Sequence, residues 1–200
     1  MPAGAPPFDV EVRGENRTVV EVKLHPRFDS QDGGFDVAIM VFNETVASCY
    51  PEFVSVYDAV DGLKTEIGQE FMLMGKGGSG VAGGDAPVEG STDTYGVFHR
   101  GFNRFESITG TDYLKYKMDS PDSGKALELE AIGYDGDSGG PAFITVDGRL
   151  KIAGVNSHGD CDPPLKCPHG KQDKFARLGG EARPWIVGNL DVNATGEVPE

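Results

Sequence analysis

Two apolar runs, Ala142-Phe143-Ile144-Thr145-Val146 and Leu150-Lys151-Ile152-Ala153-Gly154-Val155, stand on either side of Asp147-Gly148. A two-residue Asp-Gly link between strand-like runs is the strongest short-range hairpin signal, because its residues accept the positive φ that matches strand twist. Other runs of strand length repeat along the chain. Phe8–Val12 alternates apolar and polar, as a half-buried strand does. After a turn at Gly14-Glu15-Asn16, residues 19–24 continue strand-like until His25-Pro26, where proline removes a donor and restricts its neighbour. Residues 35–42 form a nearly continuous apolar run that predicts a buried strand, with one carboxylate, Asp36, at its mouth. A buried charge there needs a partner. Residues 53–57, Glu70–Gly75, 95–105, 113–118 and 173–178 predict further strands. The 29 glycines and 13 prolines supply the punctuation such a chain requires. Only residues 181–190 read as a helix, with Pro184 in its first turn and Trp185, Ile186 and Leu190 on one face. The fold class predicted is all-β with a short C-terminal helix.

Charge narrows the partners. The formal net charge is −14. Such a surface repels phosphate backbones, which argues against nucleic acid and other polyanions. No apolar run approaches the ~20 residues of a membrane span, and Met1-Pro2-Ala3-Gly4-Ala5-Pro6-Pro7 lacks the basic start and apolar core of a signal peptide. There are three cysteines. Cys161 and Cys167 share a short loop and fit a small disulfide or two free thiols. A zinc site with His169 is less favoured, since the Cys-x2-Cys spacing is absent. Asn16-Arg17-Thr18, Asn43-Glu44-Thr45 and Asn193-Ala194-Thr195 are N-glycosylation acceptor sequences and lean toward secretion. Nothing in the sequence calls for a metal or cofactor.

The chemistry is concentrated in Gly136-Asp137-Ser138-Gly139-Gly140-Pro141. A serine between glycines at a sharp turn is a candidate nucleophile, because glycine lets backbone approach a substrate carbonyl and adopt positive φ. The N–H groups of Gly136 and Ser138 are then candidate oxyanion donors. This loop resembles the nucleophile loop of the chymotrypsin/trypsin family of serine proteases. Asp36-Val37-Ala38-Ile39 is similar to the family strand whose aspartate orients the catalytic histidine, and its interval to Ser138 has the family's size. Residues 22–26 look like the His-Pro segment before that strand. Gly154-Val155-Asn156-Ser157-His158-Gly159 resembles the strand lining the primary specificity pocket, and Trp185-Ile186 the terminal helix.

The resemblance implies two antiparallel β-barrels: residues 1–62 as an incomplete first barrel with connector, and 63–200 as the second barrel with the helix. It implies Ser138 as nucleophile, Asp36 as orienting carboxylate, and Gly136 and Ser138 as oxyanion donors. It places Ser157 beside Asp36 and Asp137 where active members pair an aspartate with a new N-terminal amine. Ile132, Ser157, His158, Gly159 and Asp173 would line the substrate pocket. Ile132 at its floor favours apolar side chains. Asp173 on another wall favours Arg or Lys, or simply caps a turn. The partners implied are polypeptide substrates or protein inhibitors, outside the cell.

One part of the pattern is absent. The family's histidine lies well upstream of the aspartate, and none of His25, His99, His158 and His169 has that context. A chain beginning inside the domain would explain this, along with the missing leader. Without a base, Ser138 is a weak nucleophile. Two alternatives stay open: a protease-like binding module, and an α/β-hydrolase elbow, which Gly139-Gly140-Pro141 and the following apolar run oppose because that elbow needs a helix after the serine.

Overall fold

The computed structural model describes residues 7–12, 14–29, 34–44, 54–59, 65–82, 94–110, 112–159 and 167–190. The chain divides into two compact units, Met1–Phe53 with Ala182–Glu200, and Val54–Glu181. The predicted boundary at residues 62 and 63 lies outside the described residues.

The first unit is a three-stranded antiparallel meander, β1 (Phe8–Val12), β2 (Glu15–Leu24) and β3 (Ala38–Phe42). Val12 pairs with Glu15, so β2 begins earlier than the predicted turn at residues 14–16 allows, and Gly14 takes a φ of 81°. β2 ends before His25-Pro26, as expected. Residues 35–42 are not one buried strand. Phe35 has a φ of 54°, which interrupts extended backbone, and only residues 38–42 pair with β2. Asp36 is exposed on the lead into β3, so its charge carries no burial cost there. The helix α1 (Arg183–Asn189) buries Ile186, while Leu190 just beyond it is exposed. Trp185 meets the His25 ring edge-on at 4.9 Å, and His25 stacks on Phe35 at 4.5 Å.

The second unit holds one large, mostly antiparallel sheet: β4 (Ser55–Val56), β5 (Glu70–Gly75), β6 (His99–Arg104), β7 (Ser107–Thr109), β8 (Tyr113–Lys117), β9 (Pro141–Val146), β10 (Arg149–Gly159) and β11 (Gln172–Arg177). Its order is β6-β5-β9-β10-β11-β8-β7, with short β4 parallel to β10. β6 and β7 are successive halves of one bent segment. β6 pairs with β5, then the Phe105 N–H donates to Gln69 O (3.1 Å), the Glu106 N–H to Lys115 O (2.9 Å), and β7 pairs with β8. Both ends of the strand order are therefore supplied by residues 99–109, and the sheet curls back on itself. The predicted hairpin is β9–β10, with Val146 opposite Arg149 and φ values of 51° and 74° at Asp147 and Gly148.

Alternation places one face of each strand inside the curl. Phe71, Phe105, Tyr116 and Phe175 form its aromatic centre. Phe71 stacks on Phe105 (4.1 Å) and meets Tyr116 (5.0 Å) and Phe175 (5.4 Å) edge-on. Gly154 is required there, since a Cβ would come within 2.7 Å of the Phe175 Cβ. Glu66 and Arg177 are also buried, at 0% and 4% exposure, joined by two hydrogen bonds of 2.7 and 3.0 Å. They tie the segment before β5 to β11. The described helices include none long and apolar enough to cross a membrane.

Candidate active site

The Ser138 loop joins residues 131–135 to β9 and is held by its own backbone. The Asp137 N–H donates to Tyr134 O (3.0 Å) and the Gly140 N–H to Asp137 O (2.9 Å). Gly139 and Gly140 exchange bonds with Asn156 of β10, each 2.8 Å. The Asp137 side chain turns inward. Its Oδ1 accepts from the Gly77 N–H (2.8 Å) and its Oδ2 from the Tyr134 N–H (3.0 Å). Glycine at the end of β5 makes this possible, because a Cβ on Gly75 would lie 2.0 Å from Asp137 Oδ1. Gly136 has a φ of 91°, and a Cβ there would meet the Tyr95 ring at 2.5 Å. The Tyr95 hydroxyl donates to Asp135, which pushes its pKa up to about 12.

Within residues 136–140 the amides divide into two sets. Those of Asp137, Gly139 and Gly140 donate to backbone carbonyls. Those of Gly136 and Ser138 donate to nothing among the described residues. Ser138 is exposed, and its hydroxyl likewise has no hydrogen-bond partner among them.

Beside Ser138 lies a recess of about 130 Å³, lined by residues 133–135, Ser138, residues 156–159 and Asp173. The structure thus brings together Ser138, Ser157, His158, Gly159 and Asp173. Ile132 lines a different, larger cavity of about 470 Å³, together with Asp137, His99 and His169. Asp36 belongs to the first unit.

Asp173 is 2% exposed. Its Oδ2 accepts from the Tyr116 hydroxyl (2.9 Å) and its Oδ1 from the Lys174 N–H (2.7 Å), while the Gly133 N–H reaches the Tyr116 oxygen (3.0 Å). Burial pushes its pKa up to about 6, against the pull of these donors. Gly133 and Gly159 leave the space it occupies: a Cβ on either would lie within 2.5 or 2.6 Å of its oxygens. Tyr116 and Gly133 carried no functional signal in the sequence. Tyr116 reads as one more inward residue of an alternating strand.

His158 is exposed but engaged. Its Nδ1 is 3.1 Å from Ser157 Oγ and its Nε2 is 2.9 Å from Lys174 Nζ. An ammonium only donates, so Nε2 accepts and the ring proton sits on Nδ1, facing Ser157. His25 is buried in the first unit, with Nδ1 accepting from the Arg27 N–H (3.2 Å). His99 and His169 line the larger cavity. No described group of the acidic and histidine type clusters as a metal site. Cys161, one of the two cysteines that fit a small disulfide or two free thiols, lies outside the described residues, as does the sequon at Asn193.

A scan against protein-family models finds no match to this chain, and a search of curated proteins finds none either.

Proposed function

We propose that the chain derives from a serine endopeptidase of the chymotrypsin/trypsin type, with an acyl-transfer site at Ser138 that lacks its base. The observation that carries this is the division of amides in the Ser138 loop. Three are consumed in holding the turn, and those of Gly136 and Ser138, on either side of Asp137, have no acceptor among the described residues. An acyl-transfer site needs two such donors for a developing oxyanion. The inward Asp137 carboxylate, bonded to two amides, fixes the turn that presents them. The recess beside Ser138 offers a place for one substrate side chain.

In this mechanism Ser138 Oγ attacks the scissile carbonyl, and the Gly136 and Ser138 amides stabilise the oxyanion. Asp36 is the carboxylate that would orient a histidine. None of the four histidines serves as base: His158, the one lining the recess, keeps its proton toward Ser157 and its acceptor toward Lys174. Proton removal from Ser138 is therefore unassisted, and the rate falls by several orders of magnitude. Substrates are polypeptides, and the setting is extracellular.

Hydrolysis of two substrates with the same acyl group tests this. A p-nitrophenyl ester has a leaving group that needs no proton, so slow turnover that vanishes in Ser138→Ala is expected. A peptide anilide should show no turnover. Ester hydrolysis unchanged by Ser138→Ala would remove the proposal. A binding module without chemistry is the second reading, favoured by the absence of a base beside a Ser138 hydroxyl that has no hydrogen-bond partner among the described residues.

A further inference from the structure

Of the three N-glycosylation acceptor sequences, only Asn16-Arg17-Thr18 lies wholly within the described residues. It stands at the start of β2, directly after the turn at Gly14. β1 alternates half-buried Phe8, Val10 and Val12 with exposed Asp9 and Glu11. Asn16 pairs with Glu11, and Thr18 with Asp9. Directly opposed residues of an antiparallel pair share a face, so Asn16 and Thr18 stand on the polar, outer face of the meander. Asn16 is exposed, and its carboxamide has no hydrogen-bond partner among the described residues. Arg17 lies on the other face, opposite Val10, with its guanidinium on Glu15 and Glu44. A second acceptor asparagine, distant in sequence, comes to the same place. The N–H of exposed Asn43 donates to Thr18 O (3.1 Å), one step beyond the Val19–Phe42 pair.

We propose that Asn16 is a site of N-linked glycosylation, an inference that rests on the extracellular setting proposed above. The Asn16 carboxamide nitrogen loses a proton and bonds to the anomeric carbon of an oligosaccharide carried on a polyprenyl diphosphate. The bond from that carbon to the diphosphate oxygen breaks, and the lipid diphosphate leaves with the electron pair. A cellular oligosaccharide transferase supplies the catalysis. The group attached is bulky and hydrophilic, so it needs a surface position on the folded chain. Asn16 offers one, because its side chain gives up neither burial nor a described hydrogen bond when it is extended. In the folded chain the Asn16 backbone is held in the β1–β2 ladder, and the Thr18 hydroxyl donates to Asp9 Oδ1 (2.7 Å). These bonds form after attachment, since a strand held in a ladder cannot bend into an enzyme's cleft. Residue 45, the third position of the Asn43 sequence, lies outside the described residues, and the assignment is confined to Asn16.

Expression of the full chain behind a cleavable secretory leader in cultured animal cells tests the site. Chain from the medium and chain retained in the cells are both treated with peptide N-glycosidase, which leaves aspartate where a linked asparagine stood, and then mapped by peptide mass spectrometry. Aspartate is expected at position 16 in most of the chain after treatment and asparagine before it. Asn16→Gln and Thr18→Ala should each lose one oligosaccharide mass relative to the unaltered chain, and Thr18→Ser should retain it. Asparagine recovered at position 16 after treatment, or a glycan still on Asn16 in Thr18→Ala, would overturn the assignment. The map of the unaltered chain stands even if a variant does not fold. The leader supplies entry to the secretory route, so an unmodified Asn16 counts against this site and not against the extracellular setting. Ester turnover by Ser138 without a glycan on Asn16 defeats this inference alone, and a glycan without turnover defeats the enzymatic proposal alone.

Discussion

Replacing Glu66 by Gln should destabilise the second unit severely. Glu66 is 0% exposed and Arg177 4% exposed, and the guanidinium reaches both carboxylate oxygens, at 2.7 and 3.0 Å. Glu66→Gln preserves shape but strands a buried cation and weakens two charge-assisted bonds. Removing one partner of such a pair costs about 3–5 kcal/mol. With a urea m-value of roughly 2 kcal/mol/M, the unfolding midpoint should fall by about 2 M. The damage should spread along the sheet. Glu66 O accepts from the Gln69 N–H, and Gln69 O from the Phe105 N–H, at the bend where residues 99–109 pass from β5 to β8. Urea titration followed by far-ultraviolet circular dichroism measures the shift. The double variant Glu66→Leu/Arg177→Met should recover most of the loss, since an apolar pair of similar volume often replaces a buried ion pair without cost. A loss below about 1 kcal/mol for Glu66→Gln, or a double variant no better than the single one, would show that the buried pair does not hold the sheet together.

The two units should respond to acid in opposite directions. In the first, burial and the nearby Arg27 charge hold the His25 pKa below 6.5. The unfolded chain therefore takes up a proton first, and stability present above pH 6.5 is lost as pH falls toward the folded value; Trp185 fluorescence in urea, read between pH 8 and 5, follows it, and a midpoint that does not fall would contradict it. In the second, Asp173 has its pKa raised from 3.8 to about 6, so the folded state takes up the proton first. Its ionisation costs roughly 3 kcal/mol above pH 6, relieved as pH falls toward 4; the midpoint difference between the native chain and Asp173→Asn should shrink over that range, and a constant difference would count against it. Gly139→Ala places a Cβ in open space at a φ of 82°, and Gly136→Ala places one 2.5 Å from the Tyr95 ring at 91°. The first should cost about 1–2 kcal/mol from the left-handed backbone and the second distinctly more in thermal unfolding; equal losses would show that Tyr95 yields freely.

Much of the second unit was legible because its signals are local. Asp147-Gly148 marks its hairpin, and the glycines around Ser138 mark the loop without any knowledge of partners. The first unit was legible in outline. Residues 35–42 misled because hydrophobic continuity does not reveal that Phe35 adopts a positive φ, which turns Asp36 outward and shortens the strand. Glu66 was invisible: it sits in a connector without periodicity, 111 residues from its partner. Asp173 could be placed in a pocket or at a turn from its sequence neighbours. Only the register of β11 against β8, which sets Asp173 opposite Tyr116, together with two glycine-sized gaps, distinguishes these. The division of amides in the Ser138 loop is a property of hydrogen bonding with Asn156 and Tyr134 and has no signature in residue types.

If Ser138 is a nucleophile without its base, a base supplied from solution should restore its reactivity. Intact-mass analysis after exposure to a fluorophosphonate should show little adduct with the chain alone, and an adduct on Ser138 that forms much faster with added imidazole and is absent from Ser138→Ala. No Ser138 adduct in the presence of imidazole would contradict the claim, and a stoichiometric burst without imidazole would show that a base is already in place.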